Sequence, residues 1–226
     1  MTDNSTPLNT NGSARIVKAQ ESPEATLAYI ARVSNPKNQN NPDYVKLLTY
    51  CIKHGHWSVF EHSHMTVEIT TSLDIATQIL RHRSFTFQQL SRRYAGEEES
   101  PVGFIIRQLR APDPKNRQKS IDSLPSHVQE DYTARMVEHH LKTAELYQEM
   151  LLAGVAKECA RQILPQCTET TLYMTGNCRS WVHYLALRLE NGTQPEHIEI
   201  ARDIKEIFKS TWPNVYECCE LLNWKL

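Results

Sequence analysis

The sequence contains no run of about 18 apolar residues, so nothing in it reads as a membrane-spanning helix. Its first dozen residues, MTDNSTPLNTNG, lack the basic-then-apolar layout of a secretory leader, and residues 1–13 read as a disordered tail. An excess of one charge is missing too. A net charge of -1 gives no global attraction to nucleic acid or an anionic membrane, so any cationic site must be a local concentration. Cysteine is sparse: Cys51, Cys159, Cys167, Cys178, Cys218 and Cys219 show neither CxxC spacing nor the density of a disulfide scaffold. Reduced, mostly buried thiols in a cytoplasmic protein are expected. GxGxxG, GxxxxGK[ST] and GxSxG are absent, which leaves a dinucleotide fold, a phosphate loop and a hydrolase elbow without local support.

The 226 residues suffice for one ample core, and a single domain over 14–220 is expected, followed by a short C-terminal end at 221–226. ARIVKA (14–19) alternates like a strand, and Ser22-Pro23 predicts a helix start. A second helix is expected from Asn41-Pro42, with Val45, Leu48 and Ile52 on one stripe and Gly55 as its stop. Met65, Val67 and Ile69 alternate with His64, Thr66 and Glu68, the pattern of a half-buried strand. The spacing then predicts a helix through LDIATQILRH, with Gln78, Arg81 and His82 on one polar face. S-x-x-Q at Ser126 predicts a capping box opening a long helix to about Ala153, with Val128, Tyr132, Met136 and Leu141 toward the core. TETTLYMT reads as a strand, Asn177 as the cap of the helix CRSWVHYLALRL, and two helices follow from Pro195 and Pro213. Strands scattered among helices, without a βαβ rhythm, imply an α+β (mixed α/β) fold with a twisted, mostly antiparallel sheet flanked by helices.

The segment from Arg81 to Tyr94, RHRSFTFQQLSRRY, crowds cations around Phe85 and Phe87 and alternates them with Ser84, Thr86, Gln88 and Ser91. Guanidinium forks bind phosphate oxygens in pairs, hydroxyls add hydrogen bonds and aromatic faces stack on planar rings. These are ingredients of a nucleotide pocket, but RNA contact uses the same ones and a solvated basic surface needs none of them. His54, His56, His62 and His64, with Glu61, leave a metal-dependent hydrolase as a third possibility, although no helix-borne HExxH accompanies them.

RHRSFTFQQLSRRY resembles the signature RHR-x-x-S-x-N/Q-x-x-S-x-R-Y of the flavin-dependent thymidylate synthases. ARVS (31–34), HGHWSVFEH (54–62) and GNCRSWVHYLALR (176–188) resemble further segments of that family, in order. The resemblance implies reductive methylation of deoxyuridylate (dUMP) to thymidylate, with methylenetetrahydrofolate as carbon donor and NADPH as reductant through FAD. It also implies a homotetramer with active sites shared between subunits, and neither nucleic acid nor membrane as partner. Carried over by position, Gln78, Arg81, Gln89, Ser91, Arg93 and Arg161 would meet dUMP, and Arg188 would face the uracil and favour ionisation at N3. For FAD the matches are Ser58, Arg81, His82, Arg83, Gln89, Asn177, Arg179 and His183, with Ser34 and His56 as weaker ones. Thr86, Gln88, Gln89 and His183 depart from the commoner family residues. Gln89 in place of a carboxylate removes an anion among arginines and adds a donor. No cysteine lies in the arginine motif, so thiolate attack at uracil C6 has little support, and an electrostatically polarised ring is favoured.

Overall fold

The computed structural model describes residues 8–9, 11–95, 100–190 and 192–224. In chain order its elements are β1 (Leu8–Asn9), β2 (Ser13–Ala19), α1 (Pro23–Ala31), α2 (Val45–Lys53), β3 (His64–Ser72), α3 (Leu73–Ile79), β4 (Thr86–Gln89) and β5 (Phe104–Ile105). They continue with β6 (Ala111–Pro112), β7 (Ser120–Ile121), α4 (Ser126–Leu152), α5 (Lys157–Ala160), β8 (Glu169–Asn177), α6 (Cys178–Arg188), α7 (Pro195–Thr211) and α8 (Pro213–Leu221). The main sheet has the order β2-β3-β8-β4, giving a mixed α and β architecture with an antiparallel sheet flanked by helices. Of two small pairs, β6–β7 is antiparallel and β1–β5 parallel. Residues 1–7 and 10 of the expected disordered tail lie outside the described residues, whereas Leu8–Asn9 form β1. Among the described residues no helix is long and apolar enough to cross a membrane.

The chain packs as two compact units. Among the described residues, one gathers 8–9, 11–12, 70–79, 89–95 and 100–172, the other 13–69, 80–88, 173–190 and 192–224. Each interleaves with the other along the sequence, so no linker marks a boundary.

In the first unit Val102, Phe104, Ala144, Tyr147 and Ala160 form a buried cluster. α4 starts at Ser126 as predicted, but the capping box does not form. Pro125 occupies the cap position without a side-chain bond, and Gln129 Nε2 instead donates to Leu124 O at 3.0 Å. Only His140, Ala144 and Tyr147 of α4 are buried, so Tyr132, expected toward the core, is 51% exposed.

In the second unit α7 packs on β2 and α6, and α8 on α2. Met65, Val67 and Ile69 are buried at alternate positions of β3 as the period-2 pattern requires. α2 begins at Val45 rather than Asn41, because the carbonyls of Asn41 and Asp43 accept from the Arg32 guanidinium at 2.5 Å each. The helix predicted through His82 ends at Ile79, so Gln78, Arg81 and His82 share no helical face. His82 and Phe85 turn inward against Tyr184 and Trp181, with ring centroids 4.9 and 4.6 Å apart, and this packing overrides the local helical pattern.

Candidate functional site

α6 is the organising element of the second unit's site. Asn177, in extended backbone, accepts from Ser180 N at 2.8 Å and so ends β8 and opens the helix, as the sequence predicts. Trp181, Tyr184 and Leu185 fill the buried face. The opposite face places Arg179, His183 and Ala186, at i, i+4 and i+7, along a cavity of about 630 Å³. Trp57, Glu61, Ser84, Asn177, Ser180, Val182 and Trp224 complete its lining. Arg179 Nη1 donates to Glu61 Oε1. The cavity thus offers a guanidinium paired with a carboxylate, an imidazole and two indoles beside the start of a helix whose Cys178 and Ser180 amides already donate to Ser63 O and Asn177 Oδ1. That donor set fits a phosphate-bearing ligand with planar rings, as FAD is.

Behind α6 a chain of neutral groups, His82, Tyr184 and His197, meets the charged Arg188. Arg188 Nε donates to His82 Nε2 at 2.8 Å, a bond that only an imidazole unprotonated at Nε2 can accept. Burial, then the charge of Arg188, then His183, hold His82 down at about 4. Tyr184 stands edge-on to His82, and its hydroxyl meets His197 Nε2 at 3.1 Å. Burial chiefly, then Arg188 and His82, push His197 down to about 3, and burial raises Tyr184. Burial also lowers Arg188 itself, with Arg81 adding to the effect and Tyr184 opposing it. Phe85 is 9% exposed and packs on Trp181, so this aromatic of the arginine motif belongs to the core and cannot stack on a nucleic-acid base.

A second cleft, of about 280 Å³, lies in the first unit and brings together Gln89, Ser91 and Arg161. Leu90 N donates to Thr171 O at 2.9 Å, fixing the residues on either side of it against β8. The donor that Gln89 has and a carboxylate lacks is in use: Nε2 donates to Thr170 Oγ1 at 3.3 Å. Arg161 begins a single 3-10 turn after α5. Arg93 does not line this cleft; it is exposed and paired with Glu158 at 3.1 Å. Gln78 is half-buried on α3 of the same unit.

The remaining candidates fall outside both cavities. Ser34, His56, Ser58, Arg81 and Arg83 are exposed in the second unit, and His82 is buried. Sequence reasoning missed Trp57 and Trp224 in the larger cavity and Thr168 and Thr170 in the smaller, weighed Glu61 only with the histidines as a metal ligand, and named Ser84 only as a hydroxyl of the arginine motif. Trp57 and Glu61 lie within HGHWSVFEH, and the two threonines on one face of the predicted strand TETTLYMT, so the signal was present. All six cysteines are free, and none lines either cavity. Burial pushes Cys178 well up and Cys219 to about 12, which suits thiols and not thiolates. Among the described residues no three His, Cys, Asp or Glu side chains could hold a metal ion.

A protein family described as thymidylate synthase complementing protein matches residues 15–214. A probable flavin-dependent thymidylate synthase of Paramecium bursaria Chlorella virus 1 is 47% identical over 92% of this chain and 94% of its own. A flavin-dependent thymidylate synthase of Synechocystis is 48% identical over 88% of this chain and 90% of its own. Among solved structures, a UMP/dUMP methylase, PolB, from Streptomyces cacaoi bound with 5-Br dUMP superimposes with a TM-score of 0.80 at 25% identity, covering 95% of this chain and 97% of its own.

Proposed function

The chain belongs to the thymidylate synthase complementing protein family, that of the flavin-dependent thymidylate synthases, and from this membership we propose that it methylates dUMP to thymidylate with FAD as cofactor. The carbon comes from methylenetetrahydrofolate and the reducing equivalents from NADPH. The observation that carries this proposal is the two-sidedness of α6: Asn177, Arg179 and His183 face one cavity fit for a flavin nucleotide, while Arg188 ends the same helix with its Nε committed to a neutral histidine.

Bound in that cavity, FAD supplies the hydride that the methylation consumes. Asn177, Arg179 and His183 hold it, with the N-terminus of α6 favouring its phosphates. Ser58, Arg81, Arg83 and Gln89, and at the margin Ser34 and His56, join this set by resemblance alone. Gln89, Ser91 and Arg161 hold dUMP, where the guanidinium and hydroxyl suit its phosphate, and Gln78, Arg81 and Arg93 complete the substrate set. Arg188 presents Nη1 and Nη2 to the uracil and stabilises the anion formed when N3 loses its proton, which raises electron density at C5. Such a preorganised donor in a dry site contributes about 3 kcal/mol. His82, matched to FAD by position, acts instead through Arg188: its lone pair fixes Nε and so orients the fork. The enzyme works as a homotetramer with active sites shared between subunits, and its free thiols suit a cytoplasmic place.

The test is anaerobic. Purified protein should be yellow, NADPH should bleach it, and dUMP together with methylenetetrahydrofolate should restore the colour with one thymidylate formed per flavin. Bleached protein that stays colourless and forms no thymidylate refutes the proposal.

A further inference from the structure

The family match ends at residue 214, yet Trp224 lines the same cavity as Asn177, Arg179 and His183. We propose that Trp224 is a ligand-binding residue of this chain, its indole stacking on a planar heteroaromatic ring of the flavin nucleotide. The proposal rests on the assignment of that cavity to the flavin.

Trp224 is held in place by a turn built for it. After α8, Leu222 N donates to Cys218 O at 3.2 Å, Asn223 N to Glu220 O at 2.9 Å and Trp224 N to Cys219 O at 2.9 Å. Asn223 and Trp224 adopt φ of 49° and 54°, the left-handed region that a tryptophan rarely enters unless its surroundings hold it there. Glu220 does so. Its Oε1 accepts from the indole Nε1 at 2.8 Å and pairs with Lys205 at 2.6 Å, and the Lys205 ammonium stands 5.8 Å from the indole centre. Phe208 and Tyr216 lie edge-on, with ring centroids at 6.0 and 6.2 Å. The polar edge of the indole is therefore satisfied within the protein, and the rest of its surface is apolar.

Arg179 supplies a cation for a phosphate, but it offers no surface for the hydrophobic rings of a flavin nucleotide. A flat indole with its N–H already partnered adds contact area at little cost in conformational freedom, and stacking on such a face is indifferent to the ring's hydrogen-bonding pattern. Trp57, packed against Phe60 at 5.7 Å, lines the same cavity from a separate segment.

Apoprotein variants titrated with FAD, with bound flavin separated by ultrafiltration, test the proposal. Losing one stacked aromatic should raise the Kd of Trp224→Ala roughly tenfold, and Trp224→Phe should stay within about threefold of the parent. Thermal melts of the same apoproteins separate binding from packing. A lowered Tm with an unchanged Kd in Trp224→Ala means that the indole only packs, and overturns the inference. Arg179→Ala and Asn177→Ala serve as controls. If both weaken FAD and Trp224→Ala does not, the inference alone fails; if neither does, the flavin assignment of the cavity fails and takes the inference with it.

Discussion

In the proposed reaction Arg188 is the side chain on which the chemistry depends, and its bond to His82 Nε2 is what would position it. In Arg188→Ala the cavity proposed for FAD is untouched, so flavin content should stay near that of the parent while kcat falls by roughly a hundredfold or more, as for loss of a preorganised donor. Arg188→Lys should not rescue turnover, because an ammonium cannot donate to His82 and present a planar fork at the same time. Single-turnover thymidylate formation in both variants checks this. For His82, a hydrogen bond to a charged group is worth about 1.5–3 kcal/mol, so His82→Leu should lower kcat roughly tenfold to a hundredfold with FAD still bound. His82→Gln, whose amide oxygen can accept from Arg188 Nε, should recover most of it; a Gln variant as poor as Leu denies the positioning role. The same histidine sets an acid limit. Its folded pKa of about 4, and that of about 3 at His197, lie below the ordinary 6.5, so the unfolded chain binds the extra protons. Their stabilising contribution is complete above pH 6.5 and is lost as the pH falls toward 4 and then 3. Tm should fall as the pH is lowered across that window, and less steeply in the His82→Gln, His197→Gln double variant. The groups facing this pair are Arg188, His183 and Tyr184, with Arg81 acting on Arg188.

At the scale of elements, local signals that agree with packing were legible and those that packing overrides were not. Asn177 capping α6, the alternating burial of β3 and the proline starts of α7 and α8 all follow from their own residues. The end of α3 does not, because what turns the chain is the burial of His82 and Phe85 against residues about a hundred positions away. Gly176 belongs to that packing. A Cβ there would lie 2.3 Å from Phe85 Cε1, so Gly176→Ala must displace the phenyl ring or bend β8 next to the Asn177 cap. Overpacking of this kind costs about 1–3 kcal/mol, and differential scanning calorimetry should show a Tm several degrees lower. Glu24 illustrates a cap that local spacing cannot reveal. From α1 its buried carboxylate accepts from Asn214 N at 2.8 Å and Val215 N at 2.9 Å, capping α8 across 190 residues of sequence. Glu24→Ala leaves those donors buried and unmet, a loss of about 1–3 kcal/mol that urea unfolding should register.

For the whole molecule, the fold class and family were legible in the sequence, and the division into two interleaved units was not, since contacts between distant segments define it. Which candidates group together was not legible: spacing alone did not separate Asn177, Arg179 and His183 around one cavity from Gln89, Ser91 and Arg161 around another. The remaining whole-molecule property is assembly, and α4 is where it should be decided. Between Ser126 and His139 this helix buries no residue, although Val128 and Met136 are half-covered and Tyr132 lies under the Arg135 guanidinium at 5.1 Å. A helix start with an apolar stripe that its own unit leaves open calls for a partner surface, and a second copy of the chain is the partner that the proposed homotetramer would supply. Sedimentation should therefore give a species near four times the 26.1 kDa chain. The Tyr132→Asp, Met136→Asp double variant, which alters nothing in either cavity, should sediment as a smaller species with normal helical circular dichroism. Its turnover should fall with the loss of assembly and recover at high protein concentration. A variant that remains tetrameric removes α4 from the interface.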